Sequence, residues 1–176
     1  MKTIITALMG ALLLIVILAA SGLVYARSTG LSARPTPGAV ETRAARSVRR
    51  LAVPAELRGR TNPEPRTAEV LEQMRAHYAN QCSICHATDG SGDTDIGRGL
   101  YPKVPDMRAA ATQELSDGEL FYIIEFGVRF TGMPAWGDGS SEGEKIGWNL
   151  VHFIRRLPSL TPDEIAEIEQ LNPKSP

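Results

Sequence analysis

Thr67-Ala68-Glu69-Val70-Leu71-Glu72-Gln73-Met74-Arg75-Ala76-His77-Tyr78-Ala79-Asn80-Gln81-Cys82-Ser83-Ile84-Cys85-His86 is the stretch on which the fold turns. Thr67 can cap a helix, and Glu69 stands in the first turn, where the helix dipole favours a carboxylate. Val70, Met74 and Tyr78 recur every four residues, so the spacing predicts one helix running up to the cysteines. Cys82 and Cys85 are the only two cysteines of the chain, three positions apart, and His86 follows at once. No long-range disulfide framework is therefore possible.

Cys82-Ser83-Ile84-Cys85-His86 combines two thiols at the right spacing to add to the two vinyl groups on one edge of a haem. The adjacent imidazole would then lie beneath the iron as its first axial ligand. Two other chemistries use neighbouring cysteines. A dithiol redox pair would want a surrounding β-α-β pattern, which is absent, and a zinc site would need ligands beyond a single Cys-Cys-His cluster.

Downstream, the residues from Asp89 to Pro105 are rich in Gly, Asp and Pro and read as loop. Ser116-Asp117-Gly118-Glu119 has capping-box spacing and opens a second helix through Phe126, closed by Gly127. Ser141-Glu142-Gly143-Glu144 repeats that spacing and opens a third, which Pro158 ends after Leu157. Leu150, Phe153, Ile154 and Leu157 share one side of it, whereas Asn149, His152, Arg155 and Arg156 lie on the other. Thr161-Pro162-Asp163-Glu164 gives a cap, a proline at the first helical position and a further capping box for a short tail helix. No run alternates as a strand does, so the expected class is all-α.

A haem that transfers electrons needs a second axial ligand from a distant part of the chain. Met133 lies in Thr131-Gly132-Met133-Pro134-Ala135-Trp136-Gly137, where Pro134 biases it toward extended backbone and the glycines allow close approach to a flat ring. His77 and Met74 share a helix with the cysteines and cannot reach the opposite face, and His152 falls on a polar helix face. Met107, in the loop after Pro105, is the remaining rival. Any one methionine can also be core filler.

At the front, residues 4 to 26 carry no charge, and Leu12 to Leu18 is unbroken aliphatic sequence, long enough to span a bilayer. Residues 1–26 are accordingly expected to be a transmembrane anchor, or else a cleaved secretory signal with Val24-Tyr25-Ala26 at its end. Arg27, Arg34 and Arg43 follow the span and argue for retention on the cytoplasmic side. Residues 27–66 hold nine arginines against three glutamates, a balance of +6. With five prolines and little periodicity they read as a basic linker. Residues 67–176, the expected domain, hold nine Lys and Arg against seventeen Asp and Glu, a balance of −8. An acidic domain suits a partner with a positive docking surface and is a poor binder of nucleic acid.

Residues 67–157 resemble the class I c-type cytochromes, in particular the membrane-tethered bacterial ones that serve respiratory chains. The resemblance rests on four motifs in order: Tyr78-Ala79-Asn80-Gln81-Cys82-Ser83-Ile84-Cys85-His86, Leu115-Ser116-Asp117-Gly118-Glu119-Leu120, Gly132-Met133-Pro134-Ala135-Trp136-Gly137, and Trp148-Asn149-Leu150-Val151-His152-Phe153-Ile154-Arg155-Arg156-Leu157. It implies three main helices and loops around one covalently bound haem c. The first and last main helices would cross, with Tyr78 near Phe153. It implies His86 and Met133 as axial ligands, and Pro102 or Pro105 as the residue whose carbonyl orients the imidazole. Arg98, Lys103 and Trp136 are candidates for contacts near the propionates. Many members have a glycine where this chain has Met74, so a wider or shifted crossing is expected.

The implied function is one-electron transfer, with no catalysis by the chain itself, in the periplasm or at the outer face of the cytoplasmic membrane. The expected partners are a membrane quinol-oxidising complex or dehydrogenase and a terminal oxidase, reached on a swinging tether. The alternative is a haem enzyme or sensor, peroxidase-like, with an open or labile distal position.

Overall fold

A computed structural model describes residues 2–171; Met1 and residues 172–176, the end of the expected domain, lie outside the described residues. The chain divides into two units, Met1–Ala33 and Arg34–Pro176. In the first, helix α1 (Lys2–Thr29) has apolar side chains exposed from Ile4 to Val24. Its stretch Lys2–Ser28 is 27 residues, long and apolar enough to cross a membrane. At 1.5 Å per residue it is about 40 Å long, more than a hydrocarbon core requires. A secretory signal meets the same description.

The second unit is built from helices, and no strand occurs among the described residues. In chain order these are α2 (Ala39–Ala52), α3 (Ala55–Arg58), α4 (Ala68–Gln81), α5 (Ser83–His86), α6 (Asp95–Gly99), α7 (Ala110–Gln113), α8 (Asp117–Phe126), α9 (Ser141–Arg156) and α10 (Pro162–Leu171). A 3₁₀ turn, Leu157–Ser159, follows α9 where Pro158 forbids a further α-turn. The all-helical class expected from the pattern is the one observed.

Local chemistry sets the helix starts. Thr67 caps α4 by accepting from the Val70 amide at 3.1 Å. At α8 the capping box is complete: Ser116 Oγ accepts from the Glu119 amide, and Glu119 Oε2 accepts from the Ser116 amide at 2.8 Å. At α10 the Thr161 amide donates to Glu164 Oε2 at 2.8 Å, and the Glu164 amide returns the bond to Thr161 Oγ1. The start of α9 differs from expectation. Ser140 is the cap, its Oγ accepting from the Gly143 amide at 2.9 Å. The turn at Asp138-Gly139, with Gly139 at φ 78° and Asp138 accepting from the Ser140 amide, leaves Ser140 extended and Ser141 already helical. Glu144 falls one place too late to close a box. It pairs instead with Arg60 at 3.6 Å.

The core forms where α4, α8 and α9 meet. Tyr78 packs on Phe153 with ring centroids 5.1 Å apart, joining α4 to α9. Phe121 stacks on Trp148 at 4.1 Å, joining α8 to α9. Such pairs add about 0.5–1.5 kcal/mol beyond the area they bury. Met74, one turn before Tyr78, is itself buried in this core, so the methionine fills the place where a glycine would leave room, and the Tyr78–Phe153 contact persists. Arg155, on the face of α9 away from the aliphatic stripe, donates to the carbonyls of Gln113 and Leu115 and to Asp117. It thereby satisfies carbonyls at the end of α7 and the entry of α8.

The stretch read as a linker is not uniformly one. Val53 is buried at 2% exposure, and Leu57 packs against the core. Asn62 Nδ2 donates to the Trp148 carbonyl at 2.7 Å, His152 Nε2 bonds the Glu64 carbonyl at 2.8 Å, and the Arg60 guanidinium lies 5.1 Å from the Trp148 ring centroid. Residues 53–64 form a strap across α8 and α9. Its prolines suppress periodicity, and its anchors are single residues, so no amphipathic pattern announces it. His152, on a polar helix face, bonds this strap.

The strap needs Gly118. A Cβ there would stand 1.6 Å from the Leu57 carbonyl oxygen. Gly118→Ala is expected to push the strap off α8 and lower stability by about 1–3 kcal/mol through overpacking, offset by at most about 1 kcal/mol of helix propensity. Denaturant midpoints would report the loss. Faster protease cleavage within residues 53–64 would show that it comes from the strap.

Candidate functional site

Helix α4 ends at Gln81, and Cys82 turns the chain into the single turn α5. There the Cys82 carbonyl accepts from the Cys85 amide at 3.2 Å and from the His86 amide at 3.0 Å, while the Ser83 carbonyl accepts from Ala87 at 2.8 Å. Ser83, buried, donates to the Ala79 carbonyl at 2.6 Å and ties the turn back onto α4. Thr94 Oγ1 donates to the Cys85 carbonyl at 3.2 Å, and the Gly92 amide donates to the His86 carbonyl at 2.9 Å. Tyr78 donates its hydroxyl to the Ala87 carbonyl at 2.7 Å. The carbonyls of Cys82, Ser83, Cys85, His86 and Ala87 are thus satisfied by the turn's own amides, by the loop that follows and by Tyr78.

Ala87 sits at φ 62°, ψ 162°, a conformation that is natural only for glycine and costs about 1–3 kcal/mol. The bonds at its two sides hold it there. Tyr78→Phe removes one of them and is expected to cost about 1 kcal/mol, read as a lower denaturant midpoint at unchanged slope.

The chemistry of the side chains follows from their burial. Burial pushes the His86 imidazole down to about 4, so it is neutral near pH 7 and has a lone pair to give. Its Nδ1 is buried without a hydrogen-bond partner. Cys82 and Cys85 are unbridged; burial, with Cys85 as neighbour, pushes the Cys82 thiol up to about 12, and burial also raises Cys85. A dithiol redox centre depends on a lowered thiol pKa, so this pair is ill suited to that role. Among the described residues no group of three or more His, Cys, Asp and Glu side chains could hold a metal ion.

The loop after the motif folds on it closely. Gly92, at φ 75°, is packed so that a Cβ would stand 2.8 Å from the Val104 carbonyl oxygen, and one on Gly97 would stand 2.8 Å from the Cys85 carbonyl oxygen. Neither Pro102 nor Pro105 supplies a partner for His86 Nδ1; the carbonyl of Pro105 lies over Gly92 instead. Arg98 is engaged by Asp93 and Asp95, and Lys103 donates to the Arg98 carbonyl at 2.5 Å. Sequence reading did not find Thr94 or the two glycines, whose partners are backbone atoms brought in by the loop. The density of glycine between residues 90 and 99 is the signal it offered.

Met133 is half-buried in a loop held by its backbone. Its amide donates to Thr131 Oγ1 at 3.1 Å, and its carbonyl accepts from the Val128 amide at 3.1 Å. The Trp136 and Gly137 amides donate to the Ile124 and Glu125 carbonyls, each at 3.0 Å, pinning the loop to the end of α8. Gly132 lies so near Leu100 that a Cβ would stand 2.5 Å from its Cδ1, so the Met133 loop meets the loop that follows His86. Met107, the rival, is buried at 6% exposure in the core, its amide bonded to the Gly90 carbonyl.

Residues 69–154 match the family model of cytochrome C oxidase, cbb3-type, subunit III. They form a c-type cytochrome domain. No curated protein matches the chain. A c-type cytochrome domain carries electrons on haem c, and the residues here fit that group. The fit rests on a half-buried imidazole with a buried, unpaired nitrogen, set beside two unbridged thiols on a turn that its own amides and the following loop hold in place.

Proposed function

We propose that Cys82 and Cys85 attach one haem c per chain, that His86 and Met133 are its axial ligands, and that the domain passes single electrons outside the cytoplasmic membrane. The observation that carries the reading is the half-buried His86, its Nδ1 buried and unpaired, beside two unbridged thiols on one turn. A protonated thiol adds across a vinyl group with its sulfur on one carbon and its hydrogen on the other, so attachment needs no oxidant. Bound haem supplies a one-electron couple at its iron. The chain does the rest: α4 and α5 fix the two sulfurs relative to the imidazole, and the loop from Val128 to Gly137 brings a soft thioether, which favours the ferrous state. With both axial positions filled by the protein, no site remains for a substrate, so the domain is an electron carrier and not itself an enzyme.

The division of labour follows. Residues 1–26 anchor the chain, residues 27–52 connect, and the strap fastens this connection to the domain that begins at residue 67. The matching family is that of cytochrome C oxidase, cbb3-type, subunit III, which supports a place in a respiratory complex or as a carrier from a quinol-oxidising complex or dehydrogenase. The acidic balance of the domain supports a positively charged docking partner.

Absorption spectra of the purified full chain test the reading. A low-spin spectrum, reversible reduction, no binding of carbon monoxide and electron exchange with membranes of its source are expected. A high-spin spectrum with ready carbon monoxide binding would favour a haem enzyme or sensor. A colourless protein at its bare polypeptide mass would remove the haem altogether.

A further inference from the structure

Helix α2 carries an apolar stripe that the domain does not cover. Val40, Ala44, Val48 and Leu51 fall within an arc of about 80° at 100° per residue. Val40 is 81% exposed, Val48 65% and Leu51 77%. The polar side is the one that meets the domain: Thr42 and Arg49 are half-buried, Arg50 Nε lies 3.7 Å from Glu119 Oε1, and Tyr101 donates to Glu41 Oε1 at 2.6 Å. A helix that meets its domain only through Thr42, Arg49 and two exposed ion or hydrogen-bond contacts, and leaves its whole apolar stripe to water, needs a second surface for the stripe.

Three observations say which surface. Arg43, Arg46 and Arg50, all exposed, lie outside the apolar arc, the arrangement of a helix lying in an anionic headgroup layer with its stripe at the acyl boundary. Only nine residues, 30–38, separate α1 from α2. They reach at most roughly 30 Å, so once α1 spans a bilayer α2 must begin near its surface. The stripe, made of Val, Ala and Leu with no aromatic anchor, is shallow and suits a lipid boundary better than a protein pocket.

We propose that α2 lies on the anionic membrane surface and docks the cytochrome domain there in one orientation. The inference rests on the reading of α1 as an anchor. The strap makes the docking effective: Val53, Leu57 and Asn62 fasten the chain after α2 to the domain, so the helix and the domain cannot swing independently at that end. The expectation of a freely swinging tether is replaced by a domain held flat, with only residues 30–38 left to flex.

The test places a nitroxide on Val48→Cys, and separately on Arg46→Cys, in the full chain in nanodiscs of phosphatidylcholine and phosphatidylglycerol, with the parent chain as labelling background. Collision rates with oxygen and with a water-soluble nickel chelate then report depth. A ratio of oxygen to nickel accessibility several-fold higher at residue 48 than at 46, lower in discs of phosphatidylcholine alone, is expected. Equal ratios with the chain in the disc would overturn the docking and leave the anchor standing. Spin–spin broadening at residue 48 without lipid exposure would overturn it in favour of a second copy of the chain. A chain that does not co-elute with the discs would sink the anchor reading, and the docking with it.

Discussion

Replacing both Cys82 and Cys85 by alanine is expected to yield a protein from which denaturation strips every trace of haem. In the parent chain a denaturing gel stained for haem peroxidase activity should show one band, and the intact mass should exceed that of the polypeptide by one haem. In the double variant the band should vanish and the mass should be that of the chain alone. Either single variant keeps one thiol and should keep a fainter band. The expected effect is this large because, on the proposed reading, the two thiols provide the covalent hold. Their burial and raised pKa disfavour thiolate and metal chemistry that could substitute for it. Haem that survives denaturation in the double variant would show that the attachment lies elsewhere.

Met133→Ala is expected to leave the fold in place and change the electronic state. The loop is held by the Met133 amide and carbonyl, by Thr131 and by the Trp136 and Gly137 amides, none of which involves the thioether. Removing the sulfur should open a position on the iron, shift the ferric spectrum toward high spin, permit carbon monoxide binding and lower the potential. Axial ligands tune haem potentials over about 0.8 V, so a fall on the order of 0.1 V or more is reasonable. Met107→Ala is the control with the opposite profile. It empties a buried core position and should cost about 2–5 kcal/mol of stability while leaving the spectrum low-spin. If the two profiles were exchanged, Met107 would be the ligand and Met133 the loop residue without a role.

Helix identity and the attachment motif could be read directly because they are written in neighbouring residues. Thr67, the Ser116–Glu119 box and the Thr161–Glu164 box act over three or four positions, and their hydrogen bonds appear where the spacing placed them. Helix α9 is capped by Ser140, one residue before the serine that the box spacing points to, for a reason of the same kind. Two adjacent serines offer the same side chain, and the turn made by Asp138 and Gly139 chooses between them.

Cys82, Cys85 and His86 lie within five consecutive residues, so their proximity and the all-helical class around them needed nothing beyond the chain's own order. Folding in three dimensions settled what depends on distant partners. It turned residues 53–64 from linker into strap, gave His152 the Glu64 carbonyl, set Met107 in the core and brought Gly132 against Leu100. It also set Thr42 and Arg49 of α2 against the domain and left its apolar stripe exposed. The physical reason is range. A cap or a turn is decided by atoms a few bonds apart, whereas burial depends on which surfaces meet after the backbone has crossed itself, and a single Val or Asn in a proline-containing stretch leaves no periodic mark of that.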